Sequence, residues 1–275
     1  MHKLISAWHQ SASIIKLSFV LHVTVFILFF INPIIWPLLL TIIIANHVVL
    51  TAISLWPRSQ LLGTNWTKLP KPCVDKNQIA LTIDDGPDPD ITPKVLAILD
   101  LYQIKATFFC IGNKALKWPT ICQDIIRRGH AIENHSQQHR HNFSLLGPNG
   151  FNNEILSAQN TLTYITGQKP LFFRAPAGLR NPFLNTVLKK LNLTLVSWSA
   201  RGFDTCNSDV ESVKSKLIGS LKSGAILLLH DGNAALTSQG TPIILNVLPD
   251  LINVAKKQNL HFVTLKQALN DIHNE

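Results

Sequence analysis

Hydrophobic residues are distributed unevenly along the chain. Residues 14–55 carry a single formal charge, Lys16, whereas the remaining chain alternates short apolar runs with polar segments. A membrane-spanning helix needs about 20 apolar residues, so this stretch can supply two helices, with Asn32 and Pro33 as a natural turn. The apolar core of a secretory signal is shorter, with roughly 7 to 15 residues. The pattern predicts a transmembrane helical hairpin that forms a membrane anchor over residues 1–56.

Basic residues on both outer sides of the hairpin indicate its orientation. These residues are Lys3, Lys16, Arg58, Lys68 and Lys71. Because basic flanks favour the cytoplasmic side, both ends are expected in the cytoplasm. The chain would then be a multi-pass protein of the cytoplasmic membrane whose catalytic domain faces the cytosol. The alternative is one long span, kinked at Pro33 and Pro37, which would place that domain outside the membrane.

The pattern after the anchor predicts an α/β domain. Residues 57–76 break the periodicity and are interpreted as a linker, and residues 77–275 form the predicted domain. The predicted strands are IALTI, ATFFCI, HAIEN, LFFRA, LTLVSWS, AILLLH and HFVTL, and the predicted helices are 93–101, 114–128, 153–166, 181–191, 210–221 and 241–258. This alternation predicts a parallel sheet, open or closed into a barrel, with functional residues at the carboxyl ends of its strands.

Polar residues follow five of the predicted strands. The segments are IDD, ENHSQQHRH, RAPAG, WSARGFD and LLHDG. The carboxyl ends of parallel strands meet at one edge, so we expect these side chains to lie together. Adjacent acids repel each other, and Asp84 and Asp85 are therefore expected beside a cation. The alternative is that the two acids cap the following helix.

Two histidines indicate a metal site. His135 and His139 are four residues apart, which would place both imidazoles on one side of a helical turn. With a carboxylate they would form a site that leaves positions open for water and substrate, as catalytic metal sites do. One acid of the Asp84–Asp85 pair would bind the metal and the other would accept a proton. Histidines of a polar surface loop are the alternative.

Charge and cysteine content exclude some classes of protein. The net charge of +9 suits a surface that faces anionic lipid headgroups, so membrane lipids are expected partners. Binding of nucleic acid is not expected, because no basic run is interleaved with aromatic residues. The cysteines form no CxxC pair, which argues against a zinc knuckle or a redox motif. Cys110 and Cys122 are expected in the core, and disulfides are expected only in an exported domain.

Five motifs in order carry a family resemblance. TIDDGP, HSQQH, RAPAG, WSARGFD and LLH resemble the motifs of the polysaccharide deacetylase family, the NodB-homology carbohydrate esterases. The resemblance extends over residues 78–269. It implies a distorted (β/α) barrel that hydrolyses N- or O-acyl groups on sugars with one divalent metal ion, usually zinc.

The resemblance implies four catalytic residues. Asp84 would be the general base and His230 the general acid. Arg174 would pair with Asp84, and Asp204 would support the Arg174 and His230 side of the site. WSARGFD has one acid where many family members have two.

The resemblance also implies ligands and a substrate pocket. The implied metal ligands are Asp85, His135 and His139, and the implied substrate contacts are the backbone N–H of Ala177 and the side chains of Trp198 and Leu228. Core packing is the alternative for Trp198 and Leu228. Ala177 replaces a common tyrosine, and Arg140 stands where the family usually has proline.

The expected reaction is removal of an acetyl or formyl group from the nitrogen of an amino sugar. A cytosolic domain would meet lipid-linked sugars, such as undecaprenyl-phosphate derivatives, or precursors of a surface polysaccharide. An exported domain would instead act on assembled chitin-like polysaccharide or peptidoglycan. A non-catalytic carbohydrate-binding or scaffold module is the alternative from another class. Residues 141–151 would either contact a polyprenyl chain or tuck beneath the barrel rim, and the oligomeric state is not indicated.

Overall fold

The computed structural model describes residues 12–273, and its first elements form a helical hairpin. Helices α1 (Ser13–Ile31) and α2 (Trp36–Ser54) are joined by a short 3₁₀ turn at Pro33–Ile35. Both helices are long and apolar enough to cross a membrane. They pack together, and Asn46 Nδ2 donates a hydrogen bond to Ser18 Oγ at 2.8 Å. Polar contacts of this kind connect helices in apolar surroundings. The predicted helical hairpin is confirmed, and its insertion in a membrane stays a prediction.

The remaining described chain contains one parallel sheet. Its strands are β1 (Gln78–Asp84), β2 (Thr107–Cys110), β3 (Ala131–Asn134), β4 (Phe172–Phe173), β5 (Thr194–Leu195), β6 (Ala200–Arg201), β7 (Ile226–His230) and β8 (His261–Phe262). The strand order is β5-β4-β3-β2-β1-β7-β6, and β8 pairs with the start of β1. The register places Asp84 beside His230 at the carboxyl edge. The predicted distorted barrel is confirmed as a curled, nearly closed sheet.

Helices surround the sheet. They are α3 (Lys71–Asp75), α4 (Thr92–Leu101), α5 (Gly112–Lys117), α6 (Pro119–Arg127), α7 (Pro148–Thr166), α8 (Leu184–Leu191), α9 (Val210–Ile218), α10 (Ile243–Lys257) and α11 (Leu265–His273). The single helix predicted over 114–128 is wrong. Trp118 leaves the helical conformation, with φ −130° and ψ 56°, and Pro119 begins a new helix. Steric contact with the proline ring disfavours the helical region for the preceding residue, which accounts for the break.

The main core lies between the sheet and its helices. Strand β1 is buried from Ile79 onward, as expected for a parallel strand covered on both faces. Its apolar side chains pack with those of α4 and α10, including Leu96 and Leu248. Cys110 and Cys122 belong to this core, as expected, and both thiols are free. The carboxyl ends of the strands are therefore presented from a rigid base.

An extended segment, residues 196–199, nearly closes the sheet, and we call it the seam. It leads from β5 at one edge to β6 at the other, so only Thr194 and Leu195 of the strand predicted as LTLVSWS form a strand. Val196 N donates to Phe173 O at 2.9 Å, and Ser199 N donates to Ile226 O at 3.0 Å. The seam therefore bonds to both sides of the sheet.

The segment between the hairpin and α3 packs against the seam. Trp66 N donates to Leu195 O at 2.9 Å, and Ser197 N donates to Trp66 O at 2.9 Å. Ser197 Oγ donates to Pro57 O at 2.7 Å. Leu62 and Leu69 are buried in the same segment. The predicted linker thus contributes backbone pairing and buried side chains to the domain.

His130 is a buried titratable group in this fold. Its Nδ1 accepts a hydrogen bond from Ala106 N at 3.1 Å. Burial lowers the pKa of His130 from 6.5 to about 4. The unfolded chain therefore binds a proton between these two pH values that the folded chain does not bind. Stability from this group is fully present above pH 6.5 and is lost as the pH falls toward 4.

We expect His130→Asn to weaken the acid sensitivity of folding. Asparagine retains a hydrogen-bond acceptor but does not titrate. Between about pH 7.5 and about pH 5, the wild type should lose roughly 2 kcal/mol more unfolding free energy than H130N. Denaturant titration of the detergent-solubilised chain, followed by tryptophan fluorescence, measures the difference. Equal losses in both proteins would contradict the assignment.

Candidate active site

A pocket of about 190 Å³ opens at the carboxyl edge of the sheet. It is lined by Asp84, Asp85, His135, His139, Ala177, Gly178, Trp198, Arg201, Thr205, Leu228, His230 and Asn233. Every predicted site residue except Arg174 and Asp204 is in this lining. Those two residues lie behind it, in contact with Asp84 and His230 respectively.

Asp84 is paired with a fully buried arginine. Arg174 Nη1 donates to Asp84 Oδ1 at 2.6 Å and to Thr82 Oγ1 at 2.8 Å. Arg174 Nη2 donates to Ser197 O at 2.9 Å, and Arg174 Nε donates to Val196 O at 3.2 Å. The guanidinium is therefore bonded through each of its nitrogens, as a buried charge requires. A cation was expected beside the paired acids, and Arg174 is such a cation for Asp84.

Asp85 faces the two histidines. The chain turns sharply after β1, with Asp85 at a φ of 72°. Its Oδ1 lies 3.2 Å from His135 Nε2 and 3.1 Å from His139 Nε2. Neither acid caps the next helix, because the N-cap of α4 is Ile91 without a side-chain bond. Asp84 thus contacts Arg174 and Asp85 contacts the two histidines, as the expected separate roles of the two acids require.

The donor set of Asp85, His135 and His139 fits a divalent metal ion. The ligand atoms of these residues lie within 4.8 Å of one another, and the buried Asp85 Oδ1 faces the two imidazoles with no hydrogen-bond partner besides them. His135 Nδ1 donates to Arg174 O at 2.8 Å, which leaves Nε2 to face the carboxylate. A second contact of this type usually orients a metal-binding histidine.

The charge state of Asp85 also suits a ligand. Burial alone would raise the pKa of Asp85, but hydrogen bonds from His135 and His139 and the charges of His135 and His230 hold this pKa well below its usual range. Asn233 Nδ2 donates to the other carboxylate oxygen, Oδ2, at 3.1 Å. The carboxyl group is therefore anionic, with Oδ1 left toward the histidines.

The two histidines do not lie on a helical turn, so the prediction of a helical turn is wrong. Residues 135–139 form a loop in which Ser136 and His139 have φ values of 65° and 51°. Ser136 N donates to Asn134 Oδ1 at 2.9 Å, and His139 N donates to Ser136 Oγ at 3.0 Å. These bonds fold the loop back so that the two imidazole centroids are 4.9 Å apart. The loop brings together the same pair that a helix would have aligned.

His230 is held by a buried carboxylate. Asp204 is 0% exposed; its Oδ1 accepts from His230 Nδ1 at 2.9 Å and its Oδ2 accepts from His230 N at 2.7 Å. Burial alone would lower the pKa of His230, but the hydrogen bond and charge of Asp204 raise it overall. With Nδ1 engaged, Nε2 is the nitrogen available to the pocket. Asp204 thus supports His230, as expected. The described hydrogen bonds of Arg174 do not include Asp204, so direct support of Arg174 by Asp204 is not seen among them.

The predicted substrate contacts line one wall. Ala177 has a φ of 54°, an uncommon conformation for alanine. Trp198 is buried against Gly178, where an added Cβ would lie 2.6 Å from the indole ring. Leu228 is buried at the pocket floor. Trp198 and Leu228 therefore contribute to core packing and to the pocket wall at once.

The loop after the histidines packs beneath the rim. Phe143 and Phe151 are buried, with ring centroids 5.0 Å apart. Leu145 is 82% exposed and Leu146 packs against the buried cluster. Of the two alternatives for this loop, packing beneath the rim therefore holds for its two phenylalanines.

Several pocket residues were not predicted. Arg201, Thr205 and Asn233 line the pocket, and Lys114 Nζ donates to Asp85 O at 2.8 Å. Arg201 lies within WSARGFD, and Asn233 follows LLHDG, so their positions beside the motifs were the available signals.

Asp231 is a further buried acid that was not predicted. Its Oδ2 accepts from Thr92 Oγ1 at 2.5 Å, and burial raises the pKa of Asp231 to about 7. Its Oδ1 lies where a Cβ on Gly86 would be only 2.5 Å away. The carboxylate of Asp231 therefore occupies space that a side chain at position 86 would fill, and only glycine leaves this space open.

Comparison with known proteins agrees with this arrangement. Residues 71–196 match the family model described as Polysaccharide deacetylase. A peptidoglycan-N-acetylglucosamine deacetylase of Bacillus cereus is 36% identical over 197 residues, which cover 71% of this chain and 89% of the relative. A chitooligosaccharide deacetylase of Azorhizobium caulinodans is 36% identical over 159 residues, covering 58% and 75% of the respective chains.

A solved structure extends the similarity to the fold. The crystal structure of the Bc1960 peptidoglycan N-acetylglucosamine deacetylase is similar with a TM-score of 0.67 and 28% identity. The similarity covers 74% of this chain and 92% of that chain. Sequence, fold and site geometry lead to one conclusion: the chain belongs to the polysaccharide deacetylase family.

Proposed function

We propose that this chain is a membrane-anchored, metal-dependent hydrolase that removes an N-acyl group from an amino sugar. The observation that carries the proposal is the convergence of Asp84, the Asp85–His135–His139 group and His230 on one pocket. Relatives named as deacetylases of peptidoglycan and chitooligosaccharides support acetyl as the acyl group. A non-catalytic scaffold is disfavoured because each implied catalytic and ligand residue is present.

The proposed cofactor is one zinc ion held by Asp85, His135 and His139. Imidazole nitrogen and carboxylate oxygen are common zinc ligands, and a three-residue set leaves room for further ligands. The ion would polarise the acyl carbonyl and make water easier to deprotonate. Asp85 is anionic, as a metal ligand must be. The hydrogen bond from His135 Nδ1 to Arg174 O leaves the Nε2 of His135 available for the metal.

Asp84 is the proposed general base. Its Oδ1 is occupied by Arg174, so Oδ2 is the atom that takes the proton from the water attacking the acyl carbon. The bonds of Arg174 to the seam keep this carboxylate from rotating. Asp84 thereby retains its orientation toward the pocket through the reaction.

His230 is the proposed general acid. Its Nε2 donates a proton to the sugar nitrogen as the C–N bond breaks, and Asp204 favours the protonated ring before this transfer. The N–H of Ala177 is the proposed donor to the oxyanion formed at the carbonyl. Trp198 and Leu228 form the apolar wall that receives the acyl methyl group.

The proposed substrate is a lipid-linked amino sugar or a surface-polysaccharide precursor at the cytosolic face of the membrane. Two apolar helices, a net charge of +9 and the fastening of Pro57 to the seam support a site close to the membrane surface. The relatives named for peptidoglycan and chitooligosaccharides favour a second candidate, deacetylation of assembled polysaccharide by an exported domain.

Replacement of each paired acid is expected to separate the two roles. Asp84→Asn should retain metal and lower turnover by about 10² to 10⁴, because the proton acceptor is removed while the three proposed metal ligands stay in place. Asp85→Ala should lose stoichiometric metal, because one of three ligands is removed. Acetate release and metal content by mass spectrometry measure these effects. Full turnover by D84N, or full metal occupancy in D85A, would contradict the respective role.

Asp204→Asn is expected to shift the alkaline limb of the pH–rate profile to lower pH. Asp204 raises the pKa of His230, so removing the charge of Asp204 lowers the pKa of His230. The protonated imidazole that acts as general acid is then lost at a lower pH. The limb is expected to move toward lower pH. The kcat profile with a chitooligosaccharide measures it, and Asp209→Asn at the exposed N-cap of α9 is the control. An unmoved limb in D204N would contradict the role of Asp204.

The side of the membrane that holds the C-terminus distinguishes the two substrate candidates. Paired cytosolic and periplasmic reporters fused after Glu275 are expected to give a cytosolic signal, because basic residues flank both ends of the hairpin. A periplasmic signal would contradict the lipid-linked proposal and favour assembled polysaccharide.

A further inference from the structure

A second cavity adjoins the deacetylation pocket. Its volume is about 610 Å³, and it shares Trp198 and Arg201 with the pocket. It is lined by Trp56, Pro57, Arg58, Trp198, Ser199, Ala200, Arg201, Phe203, Lys216 and Ser220. We call this cavity the basic groove, because it contains three cationic side chains and no acidic one.

Arg201 is the cation at the junction of groove and pocket. Its guanidinium carbon lies 4.9 Å from the ring centroid of Phe203 and 5.5 Å from that of Trp198. Within residues 12–273, its buried Nε has no hydrogen-bond partner and its guanidinium forms no ion pair. The two aromatic rings hold the group in place and leave its N–H donors unused. A planar guanidinium in this state is suited to an oxyanion.

Arg58 and Lys216 extend the positive charge along the groove. Arg58 Nη1 donates to Ser199 O at 3.3 Å, and Lys216 Nζ lies 5.3 Å from the ring centroid of Phe203. In the described part of the chain, neither side chain has an acidic partner. Other lysines do, as Lys214 on the same helix pairs with Asp250 at 2.7 Å. The groove therefore retains charge that its surroundings do not neutralise.

The groove also lies at the end of the hairpin. Trp56 and Pro57 come one residue after the end of α2 at Ser54, and Arg180 N donates to Ser54 O at 3.4 Å. An exposed tryptophan at this place is typical of the membrane–water interface. An anion bound here would therefore be at headgroup level, with the deacetylation pocket beside it.

We propose that the basic groove binds a phosphate carried by the substrate, so that the preferred substrate is an amino sugar joined through phosphate to a membrane lipid. The proposal rests on the proposed deacylase function of the neighbouring pocket. Phosphate is the chemistry that suits three unneutralised cations, and the position of Trp56 favours its attachment to a lipid. The sugar would extend from the groove past Arg201 into the pocket.

The test uses the full chain, loaded with zinc, in nanodiscs of neutral lipid. The two substrates are N-acetylglucosamine linked through phosphate to a short prenol, and neutral chitotetraose. For each protein we compare the ratio of kcat/KM for the phosphate substrate to kcat/KM for chitotetraose. Lys216→Gln and Arg58→Gln remove charge from the groove, and Lys190→Gln on α8 is the matched control for an exposed helical lysine.

We expect each groove variant to lower this ratio by about tenfold or more, because each removes a charge-assisted bond. Lys190→Gln should leave the ratio unchanged. Inorganic phosphate should inhibit hydrolysis of the prenyl phosphate substrate by the wild type more strongly than by K216Q. A ratio that stays constant in both groove variants would overturn the proposal.

Two further outcomes distinguish failure of the groove proposal from failure of the deacylase function. If phosphatidylglycerol in the nanodisc changes activity through Lys216 and Arg58 while the ratio stays constant, the groove binds lipid headgroups and the substrate proposal is overturned. If the folded, zinc-loaded chain deacetylates neither substrate, the proposed function itself fails. Hydrolysis of chitotetraose with no preference for phosphate would overturn only the groove proposal.

Discussion

The buried ion pair between Arg174 and Asp84 is the interaction on which both the barrel and the site depend. Arg174 bonds to the end of β1 through Asp84 and Thr82, and to the seam through two carbonyl groups. Its own carbonyl accepts the Nδ1–H of His135. One side chain and its backbone therefore connect the proposed base, a proposed metal ligand and the closure of the sheet. Removing either charge would leave the other buried and unpaired, which costs several kcal/mol in comparable pairs.

The same edge of the sheet holds ionisable groups in contrasting environments. Asp85, between two imidazoles, has a depressed pKa, whereas the neighbouring Asp231 has a raised one because burial dominates there. His230 is kept on its charged side by Asp204. These differences arise from which partners each strand end brings within bonding distance. The parallel register, which sets Asp84 beside His230, is what brings these partners to one edge.

Much of this arrangement could be predicted from the sequence, because parallel strands deliver their carboxyl ends to one edge. That rule was sufficient to group Asp84, Asp85 and His230. It did not give the loop at 135–139, whose shape comes from the side chains of Asn134 and Ser136 bonding to local backbone. Asn233 was missed because it reaches the pocket from beyond the end of β7, and Arg201 because the short strand β6 that carries it was not predicted.

The seam was unpredictable for a different reason. LTLVSWS has the pattern of a single strand, yet only Thr194 and Leu195 form one, because the curl of the sheet carries residues 196–199 toward the opposite edge. Pairing with Trp66 is a long-range contact that no local pattern encodes. The segment that supplies Trp66 appeared to be a spacer because its prolines and glycine interrupt any periodicity.

That pairing determines where the domain can be cut. The family match begins at residue 71, yet Trp66 bonds to the seam and Leu62 and Leu69 are buried upstream of it. A fragment that starts at the match boundary would expose apolar surface and leave Leu195 O and Ser197 N without their backbone partners. A recombinant fragment without the hairpin therefore has to retain the chain from Pro57 onward, because Pro57 O accepts a hydrogen bond from Ser197 Oγ.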